Sequence, residues 1–579
     1  MNDEYTPRNP APQEPQDAQP QQAAQSAAPQ SIGSPVAVLA PAPANVTSDN
    51  LILTANGYKP LITCISERYT GPQRFLYPIN EIGISRLYAD IFAYRLRYVT
   101  ERKKWYIFNG RYWEESCGQE MELCKLLVKN YRDYWKAYSK APTKKQQSFL
   151  ENLTSRHVRE NLLKDAASVN PIRMSDFDKN PMLFNCENGT IDLNTCTLYS
   201  HNPDDLITKI AHVTYDPNTR CARWEQHILQ IMEDDTAKAE YLQKAFGMCL
   251  TGENRYECFF ILYGPTSRNG KGTTMETIMT MMGDYGKAAR PDTITQRQSP
   301  NGSGPSEDIA RLAGARIVNV SEPDKKMTLS SALVKTLTGN DTVTARYLHE
   351  NSFEFKPGFK FLINTNYLPQ IPDPSVFTSG RVKVIPFMRH FDGNQQDKNL
   401  KHTLAQPQNL SGILNWCLDG WKLLQTQGFE EPDSVIAATA QYQQDSDKVA
   451  LFLEERLTPS PGINMKLEDV YADYKSWCET NGLRPEGKPR FKQTLGAHVK
   501  IDRSRSVGAD RLKNAVVCVC DYSFQVQFSD ICAPLTNEEL NAALAPYGIK
   551  FYSGPSINTR IDASSYGEVV MSSPDNRNS

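Results

Sequence analysis

The sequence predicts an α/β fold, because short continuous apolar runs alternate with segments of helical or mixed character. The runs are Phe259–Tyr263, Ala315–Val320 and Phe359–Ile363. Runs of this length without polar interruption are typical of parallel strands buried on both faces. Strands that alternate with helices in this way favour a parallel sheet. The chain has 579 residues, too many for a single hydrophobic core, so we expect several compact units.

Composition excludes some classes of protein. Hydrophobic residues make up 40% and charged residues 22% of the chain, and no apolar run approaches the roughly 18 residues that a membrane span needs. The amino terminus lacks a signal pattern, and the 13 cysteines show neither CxxC pairs nor zinc-site spacing. We therefore expect a cytoplasmic protein with reduced thiols and no membrane partner. The net charge of -2 implies that any DNA-binding surface is local.

The first part of the chain divides into a tail and a domain of mixed character. Residues 1–50 are rich in Pro, Gln and Ala, a composition that predicts a disordered tail. In Trp105–Trp113, an Asn-Gly pair between aromatic runs predicts a β-hairpin. Met121–Tyr138 has apolar residues at helical spacing, and Asn188 with Gly189 predicts a second hairpin. These patterns indicate an α+β amino-terminal domain.

A glycine-rich loop follows the first apolar run and precedes a predicted helix, Thr274–Met282. Its ten residues are Gly264, Pro265, Thr266, Ser267, Arg268, Asn269, Gly270, Lys271, Gly272 and Thr273. Strand, glycine-rich loop and helix is the context in which backbone N–H groups and a lysine bind nucleotide phosphates. The spacing departs from the common form, and Gly272 stands where Ser or Thr usually binds magnesium. We expect Thr273 to supply that hydroxyl, unless water does. The alternative is a glycine-rich turn without a ligand.

Three downstream residues strengthen the nucleotide hypothesis. Glu322 follows the second strand, where an NTPase places a carboxylate that holds magnesium and orients water; Ser321 replaces the usual aspartate, and Asp324 is a fallback. Asn366 follows the third strand, where a γ-phosphate sensor is expected. Arg381 opens the run Gly380–Phe387 as a candidate arginine finger. Each is, on its own, also compatible with an ordinary surface residue.

Loop, acid, sensor and finger in this order resemble superfamily 3 helicases, most closely the phage/plasmid and poxvirus-type primase-helicase family. The resemblance rests on Arg268–Thr273 in the loop and on an additional motif at Lys335–Asp341 with Arg346. It also rests on the sensor motif Thr365–Pro369 and the finger strand with Ile385–Phe387. Upstream, Trp105–Trp113, Asn188–Leu193 and Tyr241–Gly252 resemble the domain that precedes the helicase in that family. The similarity covers roughly residues 95–500.

The resemblance implies an AAA+-like P-loop NTPase core that uses ATP and Mg²⁺. It implies a homo-oligomer, a hexameric ring that moves 3′ to 5′ on single-stranded DNA at forks, with other replication proteins as possible partners. Catalytic roles carry over to Lys271, Glu322, Asn366 and Arg381. A hairpin that projects into the ring channel matches Tyr347–Ser352. Because this chain has His349 where family members commonly carry lysine, Lys335, Arg346 and His349 all remain candidates for gripping DNA.

The carboxy-terminal part predicts a winged-helix module. Helix candidates at Val449–Arg456 and Lys466–Glu479 precede a basic helix at Pro489–Gly496, which is followed by two runs able to pair as a wing. Residues 484–513 carry nine Lys or Arg against three acids, a local charge of +6, which suits a phosphate backbone. Arg490 and Lys492 are the DNA-binding candidates here. The alternative is a solvated basic face.

The expected division of the chain follows from these assignments. It comprises the tail 1–50, a pre-helicase domain 51–220, the ATPase domain 221–400, a helical connector 401–445, a winged-helix-like domain 446–523 and an extension 524–579. A replicative helicase is the leading hypothesis. The alternatives are a primase-helicase, for which Asp176 and Asp178 are the one close carboxylate pair upstream, and a DNA-binding initiator that does not hydrolyse nucleotide.

Overall fold

The computed structural model describes the chain from Asn50 to Gln525 with short gaps, and three further strands. The described residues are 50–55, 57–138, 143–295, 307–321, 327–348, 351–481, 483 and 485–525, and strand backbone at 549–552, 560–563 and 568–570. The predicted disordered tail therefore lies outside the described residues, apart from Asn50. Residues 48–579 form one unit by their internal contacts.

The amino-terminal part is a helical cluster with two small antiparallel sheets. Its core is made of buried side chains such as Leu87, Tyr88, Leu127 and Tyr131. The elements are β1 Leu51–Thr54, β2 Gly57–Pro60, α1 Leu61–Thr70, α2 Glu81–Ile91, β3 Leu96–Val99, β4 Lys104–Phe108, β5 Trp113–Glu115, α3 Gln119–Tyr138, α4 Lys144–Asn152 and α5 Arg156–Ala166. The predicted helix at Met121–Tyr138 is thus present as α3.

The predicted hairpin at Trp105–Trp113 is present, with a longer turn than expected. Strands β4 and β5 pair from Phe108 with Trp113, so four residues connect them instead of the Asn-Gly pair alone. The side chain of Asn109 accepts hydrogen bonds from the N–H groups of Arg111 and Tyr112, and Gly110 has a φ of 101°. The asparagine side chain stabilises the wider turn.

A second three-stranded antiparallel sheet precedes the predicted phosphate loop. Its elements, with the two helices that follow, are β6 Leu183–Cys186, β7 Gly189–Asp192, β8 Thr197–Tyr199, α6 Ala222–Ile231 and α7 Thr236–Met248. Cys186 pairs with Gly189, which is the hairpin expected at Asn188 and Gly189. All residues of β6 and β7 are buried, so this sheet is part of the protein core.

The centre of the molecule is a five-stranded parallel sheet in the order β10-β11-β14-β9-β15. Its elements and their connections are β9 Phe259–Tyr263, α8 Lys271–Met282, β10 Gly286–Ala289, α9 Glu307–Ala310, β11 Ile317–Ser321, α10 Ser331–Thr338, β12 Val343–Ala345, β13 Phe353–Phe355, β14 Lys360–Thr365, α11 Ser375–Thr378 and β15 Val382–Pro386. The three predicted strands are β9, β11 and β14. The α/β class is confirmed.

The two faces of this sheet are buried in separate cores. Phe260 and Leu262 of β9 point into the largest core, whereas Phe259 and Ile261 of the same strand point into another. Successive side chains of a strand lie on opposite faces, so the continuous apolar run reflects burial on both sides. This is the physical reason why the strand was recognisable in the sequence.

The helices of residues 401–445 contribute to the largest core. They are α12 Leu400–Leu404, α13 Pro407–Gln427 and α14 Asp433–Ser446. Helix α13 buries Ile413, Leu414 and Cys417 completely, and it crosses α7 where two glycines meet. A Cβ atom on Gly247 would lie 2.3 Å from the Trp421 nitrogen, and one on Gly420 would lie 2.2 Å from the Gln243 carbonyl oxygen.

The carboxy-terminal part has its own aromatic core around Phe452, Tyr474 and Phe491. Its elements are α15 Lys448–Arg456, β16 Leu457–Lys466, α16 Leu467–Thr480, α17 Lys488–His498, β17 Ile501–Val507 and β18 Asp510–Phe524. Strands β17 and β18 form the expected hairpin. Strand β16, which was not predicted, adds a third strand in the order β16-β18-β17. Strands β19 Ile549–Tyr552, β20 Arg560–Ala563 and β21 Glu568–Val570 form a separate sheet.

Cys518 and Cys520 lie on β18. No helix in the described part of the chain is long and apolar enough to cross a membrane.

The crossing of α7 and α13 makes a stability prediction. Gly247→Ala should lower the free energy of unfolding of the central core by at least about 2 kcal/mol, since the added methyl group meets backbone atoms that cannot move aside. Thermal melting followed by circular dichroism measures this as a lower transition temperature. Gly272→Ala is the matched control, because a Cβ atom there meets nothing within 4 Å. An equal transition temperature for Gly247→Ala and the wild type would contradict the close packing described.

Candidate nucleotide-binding site

The predicted phosphate loop connects β9 to α8 at the carboxyl edge of the central strands. Pro265, Thr266, Ser267 and Arg268 are exposed, while Asn269 is buried and donates its side-chain amide to the Thr266 carbonyl at 2.7 Å. Helix α8 begins at Lys271, so the N–H groups of its first turn have no intrahelical acceptor and face the loop. Such a helix start attracts anions.

Two glycines of the loop are required by close contacts. A Cβ atom on Gly264 would lie 2.2 Å from the Asn269 amide and 3.0 Å from the Lys271 ammonium. Gly270 has a φ of 86°, and a Cβ atom there would lie 2.3 Å from the Ile231 side chain. Both positions therefore exclude larger residues. Gly272, in contrast, has open space around it.

Lys271 is the central side chain of the site. Only 4% of it is exposed, and its ammonium donates to the Gly264 carbonyl at 3.2 Å and to Asn366 Oδ1 at 2.8 Å. Burial lowers the pKa of Lys271 to about 8. A lysine ammonium has three N–H donors, so among the described residues one donor of this buried cation has no acceptor. It is available to a ligand oxygen.

Asn366 reaches Lys271 because of the register of the sheet. Strand β14 pairs with β9 so that Thr365 lies opposite Tyr263, and the next residue of each strand, Asn366 and Gly264, enters the site. Thr365 holds the turn that follows, since its hydroxyl donates to the Tyr367 carbonyl at 2.6 Å. The structure thus brings together the loop lysine and the sensor candidate.

Helix α6 supports the loop from behind. His227 Nε2 lies 3.1 Å from the Thr274 hydroxyl, which itself donates to the Gly270 carbonyl at 3.1 Å. The histidine is buried and burial lowers its pKa to about 4, so it is neutral at physiological pH and donates to Thr274. Thr274 is therefore committed to the protein interior. Thr273, the proposed magnesium ligand, is half-buried beside it.

The segment after β15, Phe387–Phe391, lies along the exposed part of the loop. His390 Nδ1 is 2.8 Å from the Ser267 carbonyl oxygen, and the Phe391 N–H donates to the Arg268 carbonyl at 3.0 Å. Arg268 has a positive φ of 58°, a conformation that non-glycine residues rarely adopt. These two contacts stabilise that conformation. No pattern in the sequence indicates these two contacts or the hydrogen bond between His227 and Thr274.

The strand that leads to the acidic candidate is described, but the candidate itself is not. Strand β11 lies beside β14 and ends at Ser321, at the same edge of the sheet as the loop. Glu322 and the fallback Asp324 lie outside the described residues.

Arg381 lies at the opposite end of the sheet, before the first residue of β15. Its guanidinium donates to the Glu257 carboxylate at 2.6 Å and to the Thr338 hydroxyl at 2.9 Å. The side chain is only 16% exposed. In the single chain, Arg381 therefore contacts Glu257 and not the loop of its own protomer.

The other predicted side chains have different surroundings. Lys335 donates to Asp373 at 2.8 Å, so its charge is paired within the chain. Arg346 is half-buried in the loop between β12 and β13, and His349 lies outside the described residues. Arg490 contacts the Pro372 carbonyl and lies 3.6 Å from Glu486. Lys492 is exposed on the same helix.

The two upstream carboxylates, Asp176 and Asp178, have partners within the chain. Asp176 pairs with Lys179 at 2.7 Å, and Asp178 accepts hydrogen bonds from Thr208. Among the residues that the structure describes, no cluster of three or more His, Cys, Asp or Glu side chains is arranged to hold a metal ion. A cavity of about 970 Å³ lies away from the loop, between β5, β13 and the amino end of the sheet, and is lined by charges of both signs.

Comparison with known proteins identifies three matching regions. Residues 85–233 match a family described as D5 N terminal like, residues 444–517 match Poxvirus D5 protein-like, and residues 262–381 match a family of unknown function, DUF5906.

Two viral relatives carry the name "Putative helicase". One, from Acanthamoeba polyphaga mimivirus, is 26% identical over 365 residues, which cover 58% of this chain and 38% of the relative. Another, from Frog virus 3 (isolate Goorha), is 30% identical over 324 residues, which cover 52% and 32%. The chain therefore matches about a third of the length of these relatives.

A solved structure, the apo form of the NrS-1 C terminal region, aligns with 74% of this chain and 96% of that chain. The sequence identity is 12% and the TM-score is 0.40.

The buried lysine makes a prediction about pH. Below its pKa of about 8, Lys271 is charged and attracts phosphate oxygens; above it, the neutral amine loses that attraction. The affinity for a non-hydrolysable ATP analogue should therefore fall by up to about tenfold per pH unit above pH 8. Isothermal titration calorimetry from neutral to alkaline pH measures this. Lys271→Arg is the control, since a guanidinium stays charged and its affinity should stay level. A wild-type affinity that does not change across this range would contradict the role of the ammonium.

Proposed function

The chain belongs to the D5-type primase-helicase family, and from this premise we propose that it is an ATP-dependent DNA helicase. It acts in the replication of a phage, virus or other mobile element. The observation that carries the proposal is the buried Lys271 ammonium at the start of a helix, whose partners among the described residues are both neutral. That arrangement suits a triphosphate, because the ligand's negative charge compensates the desolvated cation.

We propose that the loop Gly264–Thr273 binds the phosphates of ATP. The free N–H of Lys271 reaches the β and γ phosphates, and Asn366 orients the ammonium from the other side. Thr273 and Glu322 are the residues that would hold Mg²⁺, which when bound neutralises charge on the transferred phosphoryl group.

We propose an AAA+-like core that assembles into a hexameric ring. A central strand that leads into the phosphate loop, with parallel strands on both sides, supports this core. Arg381 lies far from the nucleotide loop of its own chain, so its action as a finger requires a neighbouring subunit. For that action, its guanidinium must leave Glu257.

We propose that single-stranded DNA passes through the ring in the 3′ to 5′ direction and contacts the loop between β12 and β13. Arg346 and His349 of that loop are the candidate contacts. Lys335 is a weaker candidate, since it is paired with Asp373. The domain division 51–220, 221–400, 401–445 and 446–523 is part of the same proposal, with a winged-helix module at the end.

Loss of the loop lysine should abolish activity. Lys271→Ala is expected to reduce ATP hydrolysis to background and to remove unwinding of a forked substrate, since it removes the buried cation at the start of α8. Phosphate release with and without single-stranded DNA measures hydrolysis. An initiator that binds nucleotide without hydrolysing it would show no release from the wild type. Retained hydrolysis in Lys271→Ala would refute the assignment of this lysine.

The finger hypothesis predicts rescue between subunits. Arg381→Ala protein should lose at least about tenfold in ATP hydrolysis. Mixing it with Lys271→Ala protein should restore part of the hydrolysis, because a Lys271→Ala subunit offers an intact Arg381 to the intact loop of its Arg381→Ala neighbour. Glu257→Gln is the matched control, because it breaks the same ion pair and keeps the arginine. If both variants lose activity alike and neither is rescued by mixing, Arg381 is structural and the hypothesis fails.

A further inference from the structure

The hairpin formed by β17 and β18 carries a group of exposed cations that the fold does not use. We call residues 500–513 the basic hairpin. Its base reaches the carboxy-terminal core through Ile501 and through Val517 and Val519 of β18. Residues 502–515 contain no buried side chain. Their side chains therefore contribute little to the stability of the core, so packing does not explain why this hairpin is rich in arginine and lysine.

The cations of the basic hairpin are not neutralised within the chain. They are Lys500, Arg503, Arg505, Arg511 and Lys513, all exposed. Among the described residues none of the five makes an ion pair. With Asp502 and Asp510 as the only acids in 500–513, the local charge is +3, in a chain whose net charge is -2.

The neighbouring helix α17 differs in this respect. Lys488 is paired with Glu468 at 2.9 Å, and Arg490 contacts the Pro372 carbonyl and lies near Glu486. The sequence predicted DNA-binding residues on this helix, but two of its three lysines and arginines have partners within the protein. On this helix, Lys492 is the one exposed lysine or arginine that makes no ion pair with a described residue. The unpaired charge is concentrated on the hairpin.

The basic hairpin is also held in a defined shape. The Gly508 N–H at its tip donates to the Asn464 carbonyl at 2.9 Å, and the Asn464 side chain donates to the Ser504 hydroxyl at 3.2 Å. Strand β16 therefore anchors the tip. Cations on an anchored hairpin lose less conformational entropy on binding than those on a free loop.

The chemistry of the basic hairpin favours a regular polyanion. Proteins that bind single strands without sequence preference combine charge with aromatic side chains on which bases stack, and residues 500–517 contain no aromatic residue. Arginine binds phosphate oxygens with paired N–H donors. We propose that the basic hairpin binds the phosphate backbone of duplex DNA. This proposal rests on the proposed function for the nature of the ligand, and it places the duplex on the hairpin instead of on α17.

The test compares DNA binding by full-length variants at several salt concentrations without ATP. The hairpin variant is R503Q/R505Q/R511Q/K513Q. The matched control, with the same change in net charge on exposed lysines far away in sequence, is K125Q/K129Q/K144Q/K145Q. Fluorescence anisotropy is recorded with a short labelled duplex and with a labelled single strand of the same length.

The hairpin variant should bind the duplex more weakly than the wild type does. Affinity falls as salt rises, and the steepness of log affinity against log salt should become smaller by about 0.9 for each phosphate group that the protein no longer neutralises. For the four substitutions the total reduction in steepness is about 3 to 4. The control should keep the wild-type slope. Because no substituted side chain is buried, the variant should fold. Arg505→Gln alone, which should lower the slope by about 1, provides a second test.

Three results would overturn the proposal. An unchanged slope would show that the cations are only solvated, and an equal decrease in the control would show a general effect of net charge. An equal decrease on duplex and single strand would refute the preference for duplex DNA. ATP hydrolysis by the wild type is measured in parallel. If hydrolysis is absent, the proposed helicase fails, while the binding comparison still decides the hairpin.

Discussion

The hydrogen bonds of the Lys271 ammonium are the constraint around which the candidate nucleotide site is organised. A cation removed from water is costly unless polar partners replace the water, and here Gly264 and Asn366 supply two oxygens for three donors. Lys360 is an instructive contrast. It is equally buried, and its ammonium lies within 3.3 Å of three oxygens, the Thr251 carbonyl, the Thr251 hydroxyl and the Gly358 carbonyl. Lys360 is therefore satisfied by the fold, whereas one donor of the Lys271 ammonium has no acceptor among the described residues.

Distant parts of the chain cooperate to keep Lys271 in this position. The parallel register of β9 and β14 places Asn366 beside the loop. Helix α6 fixes the start of α8 through His227 and Thr274 and fills the space beside Gly270 with Ile231. On the other side, the Phe391 N–H bonds to the loop backbone. The loop is thus enclosed by elements that precede and follow it by more than 30 residues.

The sequence predicted what depends on local patterns. Strand β9 and helix α3 were recognisable because their burial follows the periods of strand and helix. The candidate site was predicted at the level of the loop and its neighbouring strands. What the sequence did not predict depends on contacts between distant residues. The hydrogen bond of His227 to Thr274 spans 47 residues, and β16 lacks a regular apolar pattern, as its mostly exposed and half-buried residues show.

Charge illustrates the same limit, because the role of a cation depends on its partners and not on its place in the sequence. Arg316 is buried, bonds to the Leu183 and Leu250 carbonyls and lies 4.4 Å from the Tyr285 ring, so its charge joins the β6-β7-β8 sheet to the central one. Arg381 is paired with Glu257. The exposed arginines of the basic hairpin have no such partner among the described residues. With 64 cations and 66 acids, the chain has no excess of positive charge, and an electrostatic attraction for DNA must come from cations that the fold leaves unpaired.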